Sequence, residues 1–480
     1  MAAQLEEEEK MGLFISWFTE ILNYCNGFLY SRFLILVLIA VGLYFTIRSR
    51  FVQVRMFFES IRIVMEKSSD KKGLTSFQAL MISTASRVGT GNIAGVATAI
   101  VLGGPGAVLW MWIIAVFGGA SAFIESTLAQ VYKVKDGHVF KGGPAYYIQQ
   151  AMRMRRLGIV FAFLLILTFA FGFNGLQAFN ISSAFEHYVP DFADTKIPMI
   201  IGGLLAIISA FLFFGGAHKI GVVTSVLVPI MAVMYIVAGL IIFFVNIENL
   251  PGALKLLVAD AFDFHKIFGG FAGSCVVMGI KRGLFSNEAG MGSAPNAAAA
   301  ADVSHPVKQG LVQHLSVFID TFMICSTTAF IILLTDRYAV NGELNGIPLV
   351  QQSMASVFGP AGIHLTTLAV FLFAFTSLIG NYFYAEANIK FISESKTLLI
   401  VFRVLSVVMI FIGAQANIEL AWSLADVLMG GMATVNIIAI TVLGGIAIRA
   451  LKDYEEQKVK GLEPVFKAEN IGLHNTDHWK

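Results

Sequence analysis

The chain has 480 residues, 57% of them hydrophobic and only 13% charged. A soluble globular domain carries about 25% charged residues, so most of this chain belongs in lipid. The formal net charge of +2 leaves no basic footprint for a nucleic-acid partner.

The N-terminus reads MAAQLEEEEK, acidic where a cleaved secretory signal is basic, so no such signal is expected. Residues 12–30 (GLFISWFTEILNYCNGFLY) are mixed and aromatic, the composition of a helix lying in the membrane interface, with a poorly packed twelfth span as the lesser option. A membrane span needs roughly 20 apolar residues. Eleven stretches meet that need: 31–48, 76–102, 106–132, 157–180, 197–214, 221–245, 269–300, 309–335, 361–392, 397–414 and 419–449.

Basic residues mark the cytoplasmic side of such a protein. The loop after the first span carries Arg50, Arg55, Arg62, Lys67, Lys71 and Lys72; the loop 133–156 carries Lys133, Lys135, Lys141, Arg153, Arg155 and Arg156. The tail adds Lys452, Lys458, Lys460, Lys467 and Lys480, whereas the opposite loops hold only Lys196, Lys255, Lys266 and Arg337. Eleven spans put all three basic segments on one side, with the N-terminus outside and the C-terminus in the cytoplasm.

The segment RVGTGNIAG (Arg87 to Gly95) repeats as RGLFSNEAG (Arg282 to Gly290), an offset of 195 residues that also maps FIES (Phe123 to Ser126) onto FIDT (Phe318 to Thr321). Five spans separate the two starts. An odd number means that the copies cross the membrane in opposite directions, the plan of inverted-repeat transporters. Both starts make poor continuous helices. Gly89, Gly91 and Gly95 crowd the first; Gly279, Gly283, Gly290, Gly292 and then Pro295 crowd the second. Glycine costs roughly 1 kcal/mol per helix position relative to alanine. Broken backbone at membrane depth persists only where it lines a cavity or is buried in protein. Its freed amides suit a carboxylate and its freed carbonyls a cation. Close helix packing is the other use of glycine in a membrane, and it is the expected role of Gly95 to Ala107.

Arg87, Lys281, Arg282, Glu125, Glu288, Asp320, Glu386 and Asp426 fall inside expected spans, where each costs about 2.5–3.5 kcal/mol at the bilayer centre. Each must find a partner. Arg87 precedes Glu125 by 38 residues, and Arg282 precedes Asp320 by the same 38, which suggests the ion pairs Arg87–Glu125 and Arg282–Asp320. The adjacent hydroxyls of Thr376 and Ser377 can complete a sodium shell, because hard cations want oxygen ligands, or can bond back to their own helix. Asn174, Gln177 and Asn180 either line a cavity or link helices. Cys25, Cys275 and Cys325 lie far apart and read as free thiols. The histidines, from His138 to His364, lack metal-ligand spacing, and no phosphate-binding GxxxxGK[ST] loop occurs. Neither an enzyme nor an ATP-driven pump is expected, and no cofactor.

SRVGTGNIAGVATAI (Ser86 to Ile100), GGPGAVLWMWI (Gly103 to Ile113), RGLFSNEAGMGSAPNAAAAA (Arg282 to Ala301) and IGNYFYAEAN (Ile379 to Asn388) resemble the alanine or glycine:cation symporter family, within the leucine-transporter-like amino acid/polyamine/cation superfamily. The resemblance runs from about residue 75 to 450. It implies an all-α polytopic membrane protein, a five-plus-five inverted repeat with two broken helices, and sodium-coupled uptake of alanine or glycine. It further implies substrate contacts at Gly89, Thr90, Gly91 and Asn92, a facing wall of Phe285, Ser286 and Asn287, and a contribution from Gln177. The corresponding sodium ligands are the carbonyls of Ala85 and Val88 and the hydroxyls of Thr376 and Ser377. Arg87 departs from the more distant members of the superfamily, which have a small residue there.

The expected organisation is an interfacial segment (1–30), a first span with its basic loop (31–75), a first repeat (76–245), an extracellular connector (246–268), a second repeat (269–449) and a cytoplasmic tail (450–480). The expected partners are alanine or glycine, sodium and the bilayer, with no nucleic acid and no obligate protein partner. The expected location is the cell membrane, the inner one in a Gram-negative source. A proton-coupled permease using Glu125 or Asp320 is the alternative.

Overall fold

The computed structural model describes residues 16–66, 73–136, 139–215, 217–263, 274–338, 342–474 and 476–479. The acidic N-terminal stretch, Lys67, Lys71, Lys72, His138, His265, Lys266, Lys480 and the expected span residues 269–273 lie outside them.

Helix α1 covers residues 16–48, passing through a π-helical turn at Leu29–Phe33 into Leu34–Arg48. The sequence suggested a boundary at residue 30, but the helix runs straight through it. Asn23, Asn26 and Tyr30 recur at helical spacing and form one polar stripe. They bond to Glu419, the Ser423 carbonyl and the Asp426 carbonyl, so the stripe docks on the last helix instead of standing apart. A one-turn helix (Val52–Arg55) and α2 (Phe57–Val64) make an arm along the basic face.

The first expected broken span is two helices, α3 (Ser76–Arg87) and α4 (Ala94–Gly103). A reciprocal capping box of Thr75 and Gln78 starts α3. Then follow α5 (Ala107–Val131), a two-stranded hairpin (β1, Val134–Asp136; β2, Val139–Lys141) and α6 (Pro144–Ala151). Helix α7 spans 155–183 with a π-helical stretch at Leu167–Phe173. After α8 (Ile197–Phe213), α9 (Ala217–Val245) and α10 (Leu250–Ala261), the second expected broken span is again two pieces, α11 (Cys275–Asn287) and α12 (Pro295–Ala300). Helix α13 (Pro306–Thr335) carries a second π-helical stretch at Ile319–Cys325. The chain ends in α14 (Gly346–Phe358), α15 (Pro360–Ile392), α16 (Lys396–Gly413) and α17 (Ile418–Val459).

Seven of these helices are long and apolar enough to cross a membrane; the shorter Leu34–Arg48, Thr90–Gly103 and Ile197–Phe213 are apolar as well. The apolar windows of α5, α13 and α15 are each 67% buried, whereas those of α9 and α16 are 33% and 22% buried. The first three are therefore central, and the last two present their side chains to lipid. Helix α17 overshoots the expected limit at 449 by ten residues. The tail beyond it folds back: Phe466 N–H donates to the Ser304 carbonyl at 2.9 Å, and Trp479 Nε1–H to the Gln130 carbonyl at 2.8 Å. The three cysteines are free thiols.

Candidate functional site

The helical path stops after Arg87. Val88 has ψ 78° and Gly89 is extended, and a short 3-10 turn, Thr90–Asn92, links to α4. Asn92 stabilises the break by accepting the Gly89 N–H at 3.0 Å. The two glycines are needed for close approach. A Cβ on Gly89 would lie 2.3 Å from Ser377 Oγ, and one on Gly91 only 2.5 Å from the Phe285 ring. The second path stops at Asn287, where Glu288 is left-handed (φ 55°), as are Gly290 (φ 79°) and Gly292 (φ 88°). A left-handed non-glycine residue is strained and persists only where its surroundings hold it. Here Ser86 and Ser293 donate to the Glu288 carboxylate at 2.7 and 2.6 Å.

Most of the residues expected to hold substrate converge. Thr90 N–H donates to Gln177 Oε1 at 3.1 Å, and Asn180 donates to the Thr90 hydroxyl at 3.0 Å. Phe285 packs edge-on between Phe173 and Trp422, with ring centroids 4.7 and 5.0 Å away, and closes over Gly91. Asn92 Nδ2 donates to Asp320 Oδ1 at 2.6 Å, and the Ser286 hydroxyl to Asp320 Oδ2 at 2.7 Å. Asn287 stands slightly aside, donating to Thr321.

The expected sodium ligands are only partly gathered. The Ser377 hydroxyl lies 3.0 Å from the Ala85 carbonyl, bridging α15 and α3, and equally 3.0 Å from the Phe373 carbonyl of its own helix. Val88 is fully buried at the end of α3. Thr376 faces elsewhere: its hydroxyl bonds to its own helix at Phe373 and points at Met231 Sδ in α9. Adjacent helix residues project about 100° apart, so two neighbouring hydroxyls need not share a target.

Both expected ion pairs are corrected. Arg87 donates to the Gln313 carbonyl and side chain, and Glu125 receives the N–H groups of Gly290 and Gly292 with Asn436 at 3.2, 3.1 and 2.7 Å. Three donors satisfy that carboxylate without a direct guanidinium contact. Arg282 makes a two-pronged pair with Asp426 at 3.1 and 3.2 Å, which Lys281 joins at 2.7 Å, and it stacks on Trp422 with 3.9 Å to the ring centroid. The equal spacing of 38 does not identify the partners. Asp426 stands in the sequence only as an in-span acid in need of a partner, and Trp422 is not singled out there. They sit one turn apart on α17, so they share a face, and a lone tryptophan beside an acid inside a span was the available signal.

A family model described as the sodium:alanine symporter family matches residues 15–468. The chain belongs to that family. The sodium:alanine symporter family consists of transporters and not enzymes, and this chain is an integral membrane carrier of that kind. Among its relatives, the amino-acid carrier protein AlsT of Bacillus subtilis (strain 168) is 48% identical over 97% of this chain and 98% of its own length. The probable sodium/glutamine symporter GlnT of the same organism is 47% identical, with 95% and 94% covered. The sodium/alanine symporter AgcS of Methanococcus maripaludis is 36% identical, with 92% and 98% covered. In fold, the chain is similar to the crystal structure of MhsT in complex with L-phenylalanine, with a TM-score of 0.52 at 13% identity over 81% of this chain and 99% of that one. At that identity the likeness speaks for the leucine-transporter-like fold alone.

Proposed function

We propose that this chain is a sodium-coupled symporter that carries alanine or glycine into the cell by alternating access. The observation that supports this most is the meeting of two interrupted helices at one buried point, where Asn92 and Ser286 share Asp320. The main chain at Gly89–Asn92 has left the α-helical path, and its amides, held here by side chains (Gly89 by Asn92 Oδ1, Thr90 by Gln177 Oε1), turn to a substrate carboxylate in exchange. Thr90, Gly91 and Gln177 supply that contact, and Phe285 caps the pocket. The close approach of the Phe285 ring to Gly91 favours a small side chain on the substrate. Ala85, Val88 and Ser377 form the sodium side of the site, as oxygen ligands suited to a hard cation.

The same reading takes the protein as eleven spans, one plus two inverted sets of five (76–245 and 269–449), with the N-terminus outside and the basic face in the cytoplasm. The 195-residue offset and the clustering of lysine and arginine support it.

The test is uptake of radiolabelled alanine, glycine and glutamine by proteoliposomes with and without an inward sodium gradient. Alanine or glycine uptake that follows the sodium gradient is expected. Uptake driven equally well by a pH gradient in sodium-free medium would establish the proton-coupled alternative instead. Preference for glutamine over alanine would overturn the small-substrate assignment.

A further inference from the structure

The basic face carries a cavity lined by none of the residues at the two helix interruptions. It has a volume of about 570 Å³ and lies between the end of α1 and the end of α17. Five cationic side chains line it, Arg48, Arg50, Arg55, Lys452 and Lys460, against two carboxylates, Glu455 and Glu456. Only Arg55 is neutralised, by Glu455 at 2.6 Å. Arg48, Arg50, Lys452 and Lys460 have no side-chain partner among the described residues. Unpaired cations converging on one concavity repel one another, and an anion relieves that repulsion.

The surroundings say where the anion comes from. The apolar helix Leu34–Arg48 ends at the cavity, so the cavity lies at the level where hydrocarbon gives way to water. Next to it, Ile47, Phe51, Val54 and Phe58 are 59%, 54%, 63% and 83% exposed. Large apolar side chains standing clear of the protein at that level are the mark of a segment resting in the interface. Arg50 and Phe51 are both left-handed, with φ of 55° and 56°. This sharp turn places a cation and an exposed aromatic ring side by side, and so matches a ligand with a charged head and an apolar body.

We propose that this cavity binds the headgroup of an anionic phospholipid from the adjoining leaflet, with Arg48, Arg50, Lys452 and Lys460 around its phosphate and the acyl chains along Ile47 and Phe51. Basic pockets at the ends of membrane helices are suited to such headgroups, and each lysine or arginine near a charged lipid surface is worth about fivefold in affinity. The site leaves the residues that hold substrate untouched, so it stands or falls independently of the cargo.

The experiment is native mass spectrometry of the full chain, released from detergent with phosphatidylglycerol or phosphatidylcholine at equal concentration. The intact chain should retain phosphatidylglycerol preferentially. The variant Arg48→Gln/Arg50→Gln/Lys452→Gln/Lys460→Gln should lower that retention by about several hundredfold. Should this variant not fold, Lys452→Gln/Lys460→Gln alone, at exposed positions on and just past the end of α17, should lower it by about 25-fold. Equal retention of the two lipids overturns the proposal, as does undiminished preference in the substituted chain. Displacement of the lipid by millimolar inorganic phosphate would also overturn it, by making the site one for a soluble anion.

Discussion

Asp320 joins the two interruptions: its Oδ1 takes a hydrogen bond from Asn92 at 2.6 Å and its Oδ2 one from Ser286 at 2.7 Å. One carboxylate therefore fixes the distance between the two interrupted helices. Hydrogen bonds to a charged group are worth about 1.5–3 kcal/mol each. Asp320→Asn keeps the size but removes the charge, and its amide must face the Asn92 amide or the Ser286 hydroxyl. Initial rates of alanine uptake should fall by at least about tenfold, on the order of one such bond. The check is uptake against sodium concentration in proteoliposomes of equal protein content.

Gly91 and Phe285 form a second test. Gly91→Ala drives a methyl group to 2.5 Å from the Phe285 ring. Overpacking of this kind costs about 1–3 kcal/mol. Uptake should be nearly lost in Gly91→Ala and regained in part in Gly91→Ala/Phe285→Leu, where the smaller side chain makes room. A double variant no better than the single one would separate the glycine from the ring.

Ser377 and Thr376 should now behave differently. Ser377→Ala removes a hydroxyl beside the Ala85 carbonyl and should raise the sodium concentration for half-maximal uptake by about tenfold, the loss of one good ligand. Thr376→Ala removes a hydroxyl that faces Met231 and should change it by less than about threefold. Sodium titrations of the two single variants, measured side by side, decide the matter.

Glu59, on α2, gives a pH dependence. The paired N–H groups of Arg62, helped by Tyr454 and Lys458, outweigh partial burial and hold its carboxyl down at about 2, against the usual 4.5. Between those values the unfolded chain binds more protons than the folded one. The stabilisation is therefore complete above pH 4.5 and is lost as pH falls through 2. Melting temperatures of the native chain and Glu59→Gln should differ at pH 7 and draw together toward pH 3. A constant difference across that range would detach α2 from this anchor.

The positions of the interruptions were legible because glycine leaves a local signature: RVGTGN and the run from Glu288 to Pro295 cannot continue a helix cheaply. The offset also flagged Glu125 and Asp320 together. What each acid touches was not legible. Arg282 meets Asp426, 144 residues away, and Arg87 meets Gln313, 226 residues away, through packing that no local pattern encodes. The facing of Thr376 away from Ala85 likewise depends on how α15 is rotated against α9. The continuity of α1 was hidden because its polar stripe reads as solvent-facing until α17 covers it.

Glu125 lies in the first of the two matching segments, yet it grips the main chain of the second, at Gly290 and Gly292. Asp320 lies in the second and grips the first, at Asn92. Each portion of the chain thus takes one carboxylate anchor for its gap from the other. During synthesis the earlier gap has its local bonds to Asn92, Gln177 and Asn180 but must wait for its carboxylate until the segment bearing Asp320 has emerged and inserted. Two fragments cut between residues 246 and 268 should therefore be unable to bind cargo singly and should recover it only when they are made together.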